Sequence, residues 1–306
     1  LSLKVIEFFS GIGAFAQAAR TGSVALDIIQ AFDQNQAANL SYTQNYGLVP
    51  DLHNLDSIKV GQIKPADLWW MSPPCTPYSV RGNQLDKDDP RARSLLNLLQ
   101  LLPELRPSFV LIENVDGIKG SRMEAHLNLT FEQLGYKLTT LNLCPTMFGV
   151  PMLRPRYFFV ASRLGQPHLT APVAPADSAA LSSYIASNMS GAQLSSLMLP
   201  DSQLERYRPV LNIIDSEAPD SRAICFTSGY YKCRKASGSL IATTGGARFF
   251  APEEILNLLG FVPQYKLPED LPLSTRYRLV GNSVDVRSIK YLMAQINPLL
   301  RSISDV

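Results

Sequence analysis

At 306 residues and 46% hydrophobic content, the chain can bury one substantial core and a smaller second lobe. No apolar run reaches the length of a membrane span and the N-terminus shows no basic region followed by an apolar core, so a cytosolic or nuclear protein with reduced thiols is expected. A formal net charge of +2 permits a nucleic-acid partner without pointing to one, and Cys75, Cys144, Cys225 and Cys233 form no C-x-x-C pair, which excludes a zinc cage or a disulfide framework from the expectations.

LKVIEFF (3–9) is a short apolar run of strand formers, SGIG turns the chain, and AFAQAAR has helix-forming composition. ALDIIQAFD (25–33) predicts the next strand, ending in an acid, and QAANLSYTQNY the next helix. ADLWWM (66–71) is a third strand, RSLLNLLQLL (93–102) a leucine-rich helix, PSFVLIENV (107–115) a fourth strand and RYFFVASR (156–163) a further one. This alternation predicts an α/β fold with a doubly wound, mostly parallel sheet. After about residue 165 the composition turns to Ala, Pro and Ser, which predicts a linker into a smaller, less regular domain. PEEILNLLGF (252–261) and VDVRSIKYLMAQI (284–296) restore helical spacing. The expected division is 1–165 for the first domain, 166–271 for the second, and 272–306 for a segment returning to the first.

FSGIGA (9–14) joins a strand to a helix through Gly11 and Gly13, and Asp33 follows the second strand. Glycines let a ligand approach the backbone, and a carboxylate at that place accepts bonds from ribose hydroxyls, so a nucleotide-like cofactor is indicated. The pattern does not separate NAD from S-adenosylmethionine, and a lone G-x-G is also an ordinary turn. Asp56 in NLDSI either reads an adenine amino group or caps a helix.

MSPPC places Cys75 behind two prolines and directly after a predicted strand, at the sheet edge where open α/β folds bind ligands. A presented nucleophile and a small buried hydrophobe are the two readings of such a cysteine. Glu113 ends a buried apolar strand, which demands a partner or a task. Arg154 and Arg156 lie two apart at the head of a strand, which predicts that they share a face. CFTSGYYKCRKASGS (225–239) mixes aromatic, cationic and glycine residues in a way that suits looped nucleic acid, or a solvated basic hairpin. GNSV (281–284) places Asn282 and Ser283 at the opening of the final helix.

Taken in order, FSGIGA, SPPC, ENV, RPR and GNSV resemble the motifs of cytosine-5 methyltransferases, over residues 5 to about 295. CFT with clustered tyrosines and a later G-S pair, DPRARS after Cys75, and RYRLVGNSV are similar to the type-2 family, which is associated with tRNA methylation. The usual E-G-T-G-S reads KASGS here, and Ala14 replaces the third glycine of the first motif. The resemblance implies a Rossmann-like class I methyltransferase with S-adenosylmethionine bound by Phe9, Ser10, Gly11, Ile12, Gly13, Asp33, Asp56, Pro74, Asn282 and Ser283.

It also implies that Cys75 adds to cytosine carbon 6 while Glu113 hydrogen-bonds ring nitrogen 3 and the exocyclic amine. Arg156 would hold the carbonyl at position 2, and Arg154 would lie beside Cys75. The implied partner is a tRNA anticodon stem-loop, typically cytosine 38 of aspartate tRNA, met by a monomer through Cys225, Phe226, Thr227, Tyr230, Lys232, Arg234 and Lys235. An unpaired loop base is easier to extract than a stacked one. The loop from Thr76 to Pro90 is expected to close over it. The rival readings are a DNA cytosine-5 methyltransferase, a silent nucleic-acid binder and an NAD-dependent dehydrogenase.

Overall fold

The computed structural model describes residues 2–78, 85–175 and 178–304. The chain runs through β1 (Leu3–Phe8), α1 (Ala14–Thr21), β2 (Leu26–Phe32), α2 (Gln36–Tyr46), β3 (Leu68–Met71), α3 (Arg93–Leu105) and β4 (Phe109–Asn114), each within a few residues of its expected place. β3 and β4 are buried at every position, which is why they read as unbroken apolar runs: a parallel strand covered on both faces has no polar side. In α3, Leu95, Leu98, Leu99 and Leu102 recur at helical spacing and are all buried, each contributing roughly 1.5–3 kcal/mol to folding. α2 is capped by Asn35, whose side chain accepts from the Ala37 and Ala38 N–H groups.

α4 (Arg122–Gln133), β5 (Lys137–Leu143), the two-residue β6 (Met152–Leu153) and β7 (Arg156–Ser162) follow. The main sheet has the order β2-β1-β3-β4-β7-β5. β1 to β4 pair in parallel, and β7 runs antiparallel to both β4 and β5. The order reverses at β1, where β2 lies on one side and β3 on the other, so the switch point falls between β1 and β3. Phe8 anchors the core there, stacked on Phe32 at 5.2 Å and edge-on to Trp69 at 4.9 Å.

The chain divides into two compact units: Leu1–Leu143, Pro155–Ala171 and Ser288–Val306 form the first, and Cys144–Arg154 with Pro172–Arg287 the second. Against the expected limits at 165 and 271, the divisions therefore fall at Ala171 and Arg287, and a short excursion at 144–154 joins the second unit. That unit contains α5 (Gly191–Leu197), α6 (Asp201–Tyr207), β8 (Asn212–Ile214), β9 (Ala223–Ile224), β10 (Ser239–Thr243), β11 (Gly246–Phe249), α7 (Pro252–Leu258) and α8 (Leu273–Asn282); α9 (Val286–Ser304) starts there and continues in the first unit. The Ala/Pro/Ser-rich stretch expected as a linker includes α5, which begins at a Ser190–Gln193 capping box. GNSV does not open the last helix. Asn282 ends α8, and Ser283 is extended beyond it, donating its N–H to Val280 O at 3.2 Å.

Candidate active site

The turn after β1 is built on left-handed backbone. Phe9 has φ +56°, Gly11 φ +54° and Gly13 φ +84°; for Phe9 this conformation costs roughly 1–2 kcal/mol. Hydrogen bonds hold the turn in place: the Ser72 hydroxyl donates to Phe9 O at 3.0 Å, Ser10 N–H to Phe32 O at 3.0 Å, and Gly11 N–H to Asp33 Oδ2 at 2.8 Å. The carboxyl ends of β1, β2 and β3 are thus stitched together at the switch point. A Cβ on Gly13 would meet the Tyr46 ring at 2.2 Å, whereas one on Gly11 would meet nothing within 4 Å. Ser10 Oγ is buried and makes no hydrogen bond among the described residues, and Ile12, two residues on, is buried as well. Burial raises the Asp33 carboxyl above its ordinary range, opposed by the N–H groups of Asn35 and Gly11. Asp56 is exposed and accepts from the Ser94 hydroxyl at the head of α3.

Pro74 and Cys75 are exposed just past β3, so this cysteine is presented and not packed. Two bonds fix its turn: Tyr78 N–H donates to Cys75 O at 3.0 Å, and the Asn114 amide donates to Pro73 O at 3.2 Å. Asn114 is itself buried at the end of β4, so the ENV motif holds the SPPC motif. Gly117 allows the approach of this turn, since a Cβ there would lie 2.0 Å from Tyr78 O. Residues 79–84 of the loop expected to close lie outside the described residues.

Glu113 and Arg156 meet across β4 and β7. Because β7 is antiparallel, its first residue falls at the carboxyl edge of the parallel strands, and Arg156 Nε lies 3.0 Å from Glu113 Oε1. Both side chains are largely buried, and Arg156 Nη1 also donates to Pro155 O at 2.7 Å. Cys75, Glu113, Arg156, Asp33 and the glycine turn therefore all belong to the first unit, at the ends of its strands.

The shared face expected for Arg154 and Arg156 is not found. Pro155 separates β6 from β7, and Arg154 lies between the strands, so the two-residue alternation does not apply. Arg154 is buried in the second unit, where Nη1 donates to Phe226 O at 2.7 Å and contacts Cys225 Sγ at 3.2 Å, while Nη2 donates to Gly281 O at 3.0 Å and to Ser283 O. One guanidinium thus joins the RPR, CFT and GNS segments. The fit is close: a Cβ on Gly281 would lie 2.3 Å from Thr227 O.

Phe226 and Tyr230 were expected to offer faces to bases, but both are core aromatics. They pack edge to face at 5.0 Å, and the Tyr230 hydroxyl accepts from Phe250 N–H at 3.0 Å. Arg234 is likewise engaged, donating to Gln203 Oε1 and Tyr231 O and lying 5.1 Å over the Phe249 ring. Lys232 and Lys235 are exposed. Ser283 Oγ is buried without a hydrogen bond among the described residues.

Sequence reasoning gave no role to Ser72, Asn114 or the Asp89–Arg91 pair, although all lie in quoted motifs. Asn114 stood inside a quoted motif but beside a more conspicuous acid, and Asp89 and Arg91 bracket Pro90, a spacing that does signal a rigid turn.

Among solved structures, an Entamoeba histolytica methyltransferase, EhMeth, superposes with a TM-score of 0.87 at 28% identity, covering 98% of this chain and 99% of that one. A Bos taurus protein named tRNA (cytosine(38)-C(5))-methyltransferase is 28% identical over 95% of this chain and 98% of its own length. A Dictyostelium discoideum protein named DNA (cytosine-5)-methyltransferase is 28% identical over 95% of this chain and 93% of its own length. The family described as C-5 cytosine-specific DNA methylase matches residues 3–298. Every motif traced above, from the glycine turn to GNSV, falls inside that span, and the chain belongs to the C-5 cytosine-specific DNA methylase family.

Proposed function

We propose that this chain methylates carbon 5 of a tRNA cytosine, position 38 in the anticodon loop of aspartate tRNA, through a transient bond from Cys75 to cytosine carbon 6. The observation that carries the reading is an exposed cysteine in a pinned turn at the end of β3, with Glu113 and Arg156 paired at the end of the neighbouring strand. The curated relative named for cytosine 38 of tRNA supports the choice of polymer.

S-adenosylmethionine suits the glycine turn: among the described residues, Gly11 leaves open space where a side chain would stand and Ser10 Oγ is a buried hydroxyl without a partner, and the Asp33 oxygens have lone pairs left for ribose hydroxyls. Phe9, Gly13 and Pro74 would complete this wall. When bound, the cofactor supplies an electrophilic methyl group.

The protein's part is to make carbon 5 nucleophilic. The Cys75 thiolate adds to carbon 6, forming an S–C bond and shifting an electron pair toward carbon 5. Glu113 hydrogen-bonds ring nitrogen 3 and the exocyclic amine where that charge develops, and Arg156 holds the carbonyl at position 2. After carbon 5 takes the methyl group its proton passes to solvent, the C–H electron pair restores the double bond between carbons 5 and 6, and the S–C bond breaks so that the thiolate leaves with that bond's electron pair. Such a base must stand outside any stack, which an unpaired loop supplies. In this reading the second unit is the target-recognition lobe, with Lys232 and Lys235 on its exposed surface.

The alternative polymer is DNA, favoured by the Dictyostelium relative's name and by the family's description. Labelled methyl transfer to tRNA, to duplex DNA and without polymer, by wild type and Cys75→Ala, tests both. Label in tRNA that vanishes in the variant supports the proposal; label in DNA alone, or label that survives loss of Cys75, refutes it.

A further inference from the structure

We propose that Tyr46 is a positioning residue for the methyl donor: its hydroxyl holds the Gly13 carbonyl and so fixes the glycine turn in the form that takes up S-adenosylmethionine. This rests on that turn being the donor's wall.

α2 braces the turn from both of its ends. Just before its head, Asp33 accepts from Gly11 N–H at 2.8 Å and from Asn35 N–H at 2.8 Å, and the Asn39 amide donates to Asp33 O at 2.8 Å. At its tail, the Tyr46 hydroxyl donates to Gly13 O at 2.9 Å, with Gln17 Oε1 farther off at 3.4 Å. Tyr46 is the last residue of α2. Gly47 turns the chain away with φ +77°, its N–H donating to Thr43 O at 2.8 Å.

The ring is held as firmly as the hydroxyl. It stands where a Gly13 side chain would be, since a Cβ there would lie 2.2 Å from it, and it meets Tyr42 edge to face at 4.9 Å. The Arg20 guanidinium, from α1, lies 4.9 Å over the ring and donates to Asn45 O at 2.9 Å and Tyr46 O at 2.8 Å. The end of α2 is thereby tied to α1.

Gly13 opens α1, and its carbonyl also accepts the first bond of that helix, from Gln17 N–H at 2.9 Å. A trans peptide is planar, with C=O and N–H pointing opposite ways, so fixing Gly13 O also fixes the Ala14 N–H, which points out of the amino end of α1. Gly13 brings no side chain to cap that end. Glycine is the residue least restricted in its backbone, and Gly13 stands at φ +84°, so this peptide plane needs an outside hold. Tyr46 supplies it.

Tyr46→Phe removes the donor and keeps the ring. Calorimetric titration of the full chain with S-adenosylmethionine and with S-adenosylhomocysteine should show both Kd values raised about fivefold, since one neutral hydrogen bond is at stake. Amide exchange over residues 10–17 in the chain without ligand, followed by mass spectrometry, should quicken severalfold. Tyr42→Phe is the control: it deletes the bond to Glu7 Oε2 but leaves Gly13 O held, so it should lower the melting temperature and keep both readouts at their wild-type values. If either readout in Tyr46→Phe stays at its wild-type value, or if Tyr42→Phe weakens binding as much, the proposal is overturned and Tyr46 serves packing only. A wild-type chain that binds neither ligand would overturn the donor reading beneath it as well, so the two failures are distinguishable.

Discussion

Arg156 Nε stands 3.0 Å from Glu113 Oε1, so the acid and the cation at the sheet edge neutralise each other before a base arrives. In the proposed reaction, a pyrimidine entering between them would exchange this contact for its own nitrogen, amine and carbonyl, with little change in the charge of the site.

Glu113→Gln keeps an oxygen for Arg156 but loses the carboxylate's charge. Methyl transfer should fall about 10²–10³-fold with cofactor affinity unchanged, as measured by single-turnover kinetics and calorimetry. A variant with near-normal turnover would remove Glu113 from the chemistry.

Arg154→Ala should behave differently, because it leaves the carbonyls of Phe226, Gly281 and Ser283 buried without their donor. Loss of roughly 3 kcal/mol of stability is expected in denaturant titration, and Arg154→Lys should not restore it, since an ammonium cannot span carbonyls on two separate segments.

Two glycine substitutions should separate folding from binding. Gly281→Ala drives a methyl group to 2.3 Å from Thr227 O and should destabilise the chain by about 1–3 kcal/mol or prevent its folding. Gly11→Ala meets no neighbour, so its expected structural cost is the left-handed backbone alone, about 1 kcal/mol, with a larger loss of S-adenosylmethionine affinity by calorimetry.

Glu7 sits buried in β1, accepting from the Tyr42 hydroxyl at 2.8 Å, and burial pushes its pKa up to about 8 from an ordinary 4.5. The folded chain therefore keeps a proton that the unfolded chain releases from about pH 4.5 upward, and stability falls as pH rises until about 8. The contribution is on the order of 5 kcal/mol. Glu7→Gln should flatten the melting temperature across this range and raise it at pH 8; an unchanged slope would show that Glu7 ionises normally.

Lys232 and Lys235 are exposed while Arg234 is built into the lobe through Gln203, Tyr231 and Phe249. Replacing both lysines by glutamate should weaken tRNA binding in a salt-dependent way without altering the melting temperature. Arg234→Ala should lower the melting temperature first.

The first unit was legible because its central strands β3 and β4 are covered on both faces and α3 carries one apolar stripe: LWWM, FVLIEN and RSLLNLLQLL admit few other readings. The direction of β7 was not legible, since an antiparallel strand buried on both faces has the same composition as a parallel one. Cys75, Glu113 and Arg156 could be placed because each abuts a strand end. The shared face of Arg154 and Arg156 and the exposure of Phe226 and Tyr230 were misjudged because sequence shows that a residue is cationic or aromatic but not whether backbone carbonyls and other rings already surround it.

The tie from Asn114 to Pro73 has an evolutionary corollary. The asparagine shapes the turn whether or not the thiol beside it reacts, whereas the adjoining glutamate is tied to Arg156. In a descendant that had lost its activity but kept its architecture, Asn114 should persist while Glu113 drifts, so the two neighbours would record the age of the loss.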